Sequence, residues 1–112
     1  MQLQTLTADS QGIRNLDGLQ YAVNLKRLWL LNNPVTNYTS IAQLDQLVEV
    51  RINHQGLEDI SFIAPLRKMV TLDLRDNKIR DGSVLTNLPW LENLNVANNP
   101  IASGPFTNRL GR

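Results

Sequence analysis

A leucine or methionine returns every 22 residues along this chain: Leu3, Leu25, Leu47, Met69 and Leu91. Each opens the same eleven-residue pattern, L-x-x-L-x-[hydrophobic]-x-x-[N/Q]-x-[I/V/L]. In register the copies read LQTLTADSQGI, LKRLWLLNNPV, LVEVRINHQGL, MVTLDLRDNKI and LENLNVANNPI. A period of this length means that one supersecondary unit is repeated, and that stacking neighbours must build the core together. A single unit cannot bury enough apolar surface to order itself, so stability is a nearest-neighbour property.

Numbering each copy from its first leucine, positions 1, 4, 6, 11, 14, 17 and 20 are mostly apolar. Position 4 is Leu6, Leu28, Val50, Leu72 and Leu94; position 6 is Ala8, Leu30, Ile52, Leu74 and Val96. The alternation over positions 3 to 7 is the period-two signature of a short strand with one buried face. The second half of each copy, as in Ile60 to Leu66, has wider spacing with Pro and Ser, which suits a 3₁₀ turn or an extended segment. The spelling is that of leucine-rich repeats. The expected fold is an α/β-type repeat solenoid: a right-handed leucine-rich-repeat coil with a concave parallel β-sheet and convex 3₁₀ or extended segments. It is read as one domain over 1–112, with repeats at about 3–24, 25–46, 47–68, 69–90 and 91–112.

Position 9 is Gln11, Asn33, Gln55, Asn77 and Asn99. A carboxamide both donates and accepts, so this row is expected to form an internal ladder that satisfies backbone groups where the chain leaves the strand. The longer glutamines are expected to give looser turns in copies one and three. Gly12, Pro34, Gly56 and Pro100 at position 10 fit the same turn. Position 14 weakens to Gly82 and Gly104, so the outer side of the last two copies is expected to pack less well.

If positions 4 and 6 point inwards, positions 3, 5 and 7 line the opposite face of the sheet. Five strands about 4.8 Å apart make that face roughly 20 Å across. Row 3 is Thr5, Arg27, Glu49, Thr71, Asn93; row 5 is Thr7, Trp29, Arg51, Asp73, Asn95; row 7 is Asp9, Leu31, Asn53, Arg75, Ala97. Arg27 beside Glu49 and Arg51 beside Asp73 are expected cross-strand pairs on a solvated face. Trp29, flanked by Arg27 and Arg51 for cation–π contact and followed by Leu31, is the expected anchor for a partner. The candidate partner-binding group is therefore Arg27, Trp29, Leu31, Glu49, Arg51, Asn53, Asp73 and Arg75. Trp90, at position 22, is expected to pack beneath the turn.

Nothing in the chain spells catalysis. There is one histidine, His54, and no cysteine, so disulfides and thiolate metal sites are excluded and no zinc motif can be completed. His54 is expected to be an exposed turn residue. No serine lies in G-x-S-x-G, and no glycine-rich phosphate loop occurs. Asp76 and Asp81 do not match a calcium loop and read as solvated turn carboxylates. Asn37-Tyr38-Thr39 is a formal glycosylation sequon. Eleven basic and ten acidic side chains leave a net charge of +1, which gives no electrostatic reason to expect nucleic acid or an anionic membrane. No apolar run is long enough for membrane insertion, and no basic start followed by an apolar stretch marks a signal peptide.

From Leu3 to about Leu110 the chain resembles bacterial internalin-like leucine-rich-repeat proteins of the 22-residue subclass. The stretch Gly12-Ile13 to Asn24-Leu25, within LTADSQGIRNLDGLQYAVNLKRLWLLNN, carries the likeness. The resemblance implies a curved solenoid whose inner sheet binds another protein, and a place at the bacterial surface or in secretion. Members usually begin with a helical cap and often continue into an immunoglobulin-like domain or wall anchor, and neither is visible here. The main reading is thus a non-catalytic protein-binding module without a cofactor. Two alternatives stand beside it. One is a structural or self-associating solenoid, dimerising through uncapped ends such as Leu3 and Leu6. The other is an intracellular regulatory subunit of a phosphatase-like enzyme, which also uses this repeat length.

Overall fold

The computed structural model describes residues 3–101. Each copy contributes one three-residue strand at positions 3 to 5: β1 Thr5–Thr7, β2 Arg27–Trp29, β3 Glu49–Arg51, β4 Thr71–Asp73 and β5 Asn93–Asn95. They form a single parallel sheet in the order β1-β2-β3-β4-β5. Every partner lies 22 residues away, so equal repeat positions face each other, as in Thr7↔Trp29 and Trp29↔Arg51. Parallel pairing needs a crossover between strands, and a 3₁₀ segment supplies it in each of the first four copies: Leu19–Tyr21, Thr39–Gln43, Ser61–Ile63 and Ser83–Asn87. The chain is a leucine-rich-repeat solenoid.

One continuous core runs through the coil. At position 4, Leu28, Val50, Leu72 and Leu94 are buried; at position 17, Ile41, Ile63 and Leu85 are fully enclosed. Leu6 and Ala8 of the first copy are only partly covered. Of the two glycines at position 14, Gly104 lies outside the described residues. Gly82 is itself buried, and Leu85 and Leu88 of its copy are fully enclosed, so the expected loosening of the fourth copy does not reach its core.

Two turn devices recur with the period. Position 8 takes a left-handed backbone in every copy: Ser10, Asn32, His54, Asp76 and Asn98 have φ between 52° and 62°. Asn, Asp and His tolerate that region better than other side chains, and His54 sits in this turn exposed to solvent. In the first four copies position 13 is an Asn or Asp whose side chain accepts the backbone N–H two residues on. The bonds are Asn15 to Asp17 at 2.7 Å, and Asn37 to Thr39, Asp59 to Ser61 and Asp81 to Ser83 at 2.9 Å each. These Asx turns bend the chain into the outer segments. Backbone and side-chain bonds from Ser61 and Ser83 hold the Asp59 and Asp81 carboxyls below the usual range. The Asn37 amide of the sequon is engaged in the same way, with the Thr39 hydroxyl also donating to it at 2.7 Å.

On the outer side, Tyr38 stacks on Phe62 with ring centroids 5.2 Å apart. The Tyr38 hydroxyl is buried without a hydrogen-bond partner, and burial pushes its pKa up to about 12. Tyr38→Phe is expected to raise stability by about 1 kcal/mol, because an unpaired buried hydroxyl is removed while the ring stack is kept. The sign against pH follows from linkage. The unfolded chain loses this proton near pH 10 and the folded one only near 12, so the wild-type protein loses stability as pH rises between those values. Denaturation midpoints across that range should fall less steeply for Tyr38→Phe.

Candidate functional site

The internal ladder is built by asparagine alone. Asn33 Oδ1 accepts the N–H groups of Gln11 and Ile13 at 2.9 and 3.2 Å, and its Nδ2 donates to the Ala8 and Leu31 carbonyls. Asn77 accepts Gln55 N–H and Leu57 N–H at 3.0 and 3.1 Å and donates to the carbonyls of Ile52, Leu74 and Arg75. Asn99 accepts Ile79 N–H and donates to Leu74, Val96 and Ala97.

The two glutamines do not provide equivalent rungs. Gln11 is exposed and its amide donates only to the Asp9 carbonyl, while both amide atoms of Gln55 are buried with no hydrogen-bond partner. The reason lies in the next residue. Gly12 and Gly56 have φ of 67° and 70°, so these turns are left-handed at two positions out of three. That backbone presents two N–H groups to the asparagine of the following copy, and the glutamine side chain is not needed for it. At Gly12 and Gly56, a side chain would be strained.

The sheet face is held by a charged network across β2, β3 and β4. Trp29 Nε1 donates to Glu49 Oε2 at 2.7 Å, and Arg51 Nε donates to the same oxygen at 3.0 Å. The Arg51 guanidinium lies 5.1 Å from the centre of the Trp29 ring and 3.6 Å from Asp73 Oδ2. Asp73 Oδ1 accepts from Asn53 Nδ2 at 2.7 Å, from the Arg75 N–H, and pairs with Arg75 Nε at 3.4 Å. Register explains the order: Trp29, Arg51 and Asp73 occupy one row of adjacent strands, so the cation sits between an aromatic ring and a carboxylate. Because the Arg51 and Arg75 heads remain partly exposed, each ion pair contributes no more than about 1 kcal/mol.

Three expectations change here. Arg27 and Glu49 are register partners, yet among the described residues they form no ion pair. The Glu49 oxygen is taken by Trp29 and Arg51, and Arg27 stays exposed. Arg51, and not Arg27, makes the cation–π contact. The face is also less solvated than the strand alternation implies. Asn53 and Asp73 are each only 5% exposed, covered within the network they belong to. Trp29 and Leu31 are half-buried and Arg75 is exposed.

Trp90 also departs from its expected place. It does not pack beneath the turn but stands 56% exposed. The corresponding residues of the earlier copies are Asn24, Gln46 and Lys68, and the Lys68 ammonium donates to Gln46 at 3.1 Å along this row. Position 22 is therefore an outer row, and an aromatic placed there inherits the exposure.

Among the described residues, no three His, Cys, Asp or Glu side chains group as a metal site. No helix there is long and apolar enough to cross a membrane.

Residues 67–107 match the family described as leucine-rich repeats, in two copies. No curated protein sequence matches the chain. Among solved structures, an internalin (inlF) of Listeria monocytogenes is 26% identical with a TM-score of 0.89, over 96% of this chain and 32% of that one. Internalin C2 (inlC2) of the same organism is also 26% identical, with a TM-score of 0.73 over 95% of this chain and 57% of that one. The chain thus spans about a third of the first structure and just over half of the second. Repeat period, stacked parallel sheet and this likeness agree, and they make the chain an internalin-like leucine-rich-repeat protein.

Proposed function

We propose that the sheet face binds a partner protein, with Trp29 as the anchor and Leu31 and Arg27 completing the contact. The observation that carries this is the fixing of a half-exposed indole by Glu49 at 2.7 Å and by the Arg51 guanidinium over its ring. An aromatic already held in one orientation loses little side-chain freedom on association, which favours binding. Tryptophan and arginine are also the side chains that most often dominate interface energy. Glu49, Arg51, Asn53, Asp73 and Arg75 act as the frame that holds the anchor, and Arg27 offers a cation without an ion-pair partner among the described residues. The fold and its internalin relatives support a non-catalytic interaction module as the broader reading.

A photo-crosslinking side chain at Leu31, compared with one at exposed Glu58, tests the face directly. Crosslinked protein is expected from the Leu31 site and not from the Glu58 site. With the partner so captured, Trp29→Ala should raise Kd at least about tenfold while circular dichroism stays unchanged. Equal affinity in a normally folded variant would remove Trp29 from the interface.

A further inference from the structure

Away from the sheet face, the flank running from the last residue of each 3₁₀ segment to the next strand carries an ordered set of exposed residues. Tyr21 is 72% exposed and Val23 54%, both in the first copy, and Trp90 stands 56% exposed where the fourth copy ends. Positions 21 and 22 read, copy by copy, Val23-Asn24, Asp45-Gln46, Arg67-Lys68 and Pro89-Trp90. Asp45, Arg67, Lys68 and Pro89 are exposed as well. Contacts along the flank stack these residues on their neighbours: Gln46 donates to Asp45 at 3.1 Å, and Arg67 donates to the Asn87 carbonyl at 3.2 Å. Asp45 and Arg67 hold the same place in adjacent copies, yet the ion pairs among the described residues all lie on the sheet face. Their charges are not spent on each other.

The order along this flank is apolar, acidic, basic, apolar. Reversed, it becomes its own complement: apolar meets apolar and base meets acid. A twofold interface needs that property, since residue i must meet j while j meets i. We propose that this flank is the contact surface of an antiparallel, twofold-symmetric dimer of the chain. Tyr21 and Val23 of one copy pack against Pro89 and Trp90 of the other, and two Asp45–Arg67 pairs form at the centre. Three repeat steps of about 4.8 Å separate the apolar ends, so the interface is small and the association weak. No residue of the Trp29 group takes part, so this inference stands or falls independently of the partner-binding reading.

Sedimentation equilibrium across the micromolar range tests it. The expected result is a reversible monomer–dimer equilibrium, with Trp90→Ser raising the dimer Kd at least about tenfold. Asp45→Arg alone and Arg67→Asp alone should each stay monomeric. Mixed in equal amounts, the two variants should associate, because both central pairs are then complementary again. All three side chains are exposed, so circular dichroism should show an unchanged fold. A wild-type chain that stays monomeric throughout, a dimer indifferent to these substitutions, or a mixture that fails to associate would each overturn the arrangement.

Discussion

Asn77→Ala is expected to lower unfolding free energy by about 3–4 kcal/mol, read as a fall in urea midpoint with little change in slope. The side chain is 7% exposed and holds two backbone N–H groups and three carbonyls belonging to two copies. Alanine leaves buried donors and acceptors without partners, and each such loss costs roughly 1–3 kcal/mol where water cannot reach. Solvent access at the turn keeps the total below the sum. Gln55→Leu provides the contrast. The Gln55 amide is buried and bonds to nothing, so replacing it with an apolar side chain of similar length should leave stability unchanged or raise it by up to about 1 kcal/mol. Equal losses at the two sites would mean that repeat position matters, and not the hydrogen bonds made there.

That contrast also marks where the sequence was readable. The strands, their register and the core follow from a 22-residue period imposed on alternating apolar positions, because a parallel stack of equal copies admits one pairing. Side-chain partners are less legible, since they depend on which of several neighbours wins. Arg27 and Arg51 are equivalent beside Trp29 in the sequence, but only Arg51 shares its row across β3 and also meets Asp73. Gln and Asn look alike as carboxamides, yet Gly12 and Gly56 change the backbone path so that the side chain falls out of the ladder. Two signals were present and escaped the apolar pattern. An Asx residue stands at position 13 in each of the first four copies, and Trp90 stands in a row of polar residues.

Leu72→Ala is expected to cost about 3–4 kcal/mol, against about 1 kcal/mol for Leu6→Ala at the same repeat position. Leu72 is 1% exposed and lies between Val50 and Leu94 in the sheet register. Truncation opens a cavity lined by two other copies, and a backbone hydrogen-bonded on both sides has little freedom to collapse into it. Leu6 is only partly buried, so less contact is lost and water already reaches part of the side chain. Chemical denaturation of both variants gives the comparison. Leu72 also sits between Thr71 and Asp73 on β4, so the cavity should loosen the carboxylate that holds Arg51 against the Trp29 ring. Partner affinity should therefore fall in Leu72→Ala even where the protein remains folded, and stay near wild type in Leu6→Ala. Equal losses of stability in the two variants would mean that burial within the stack does not set the strength of each copy.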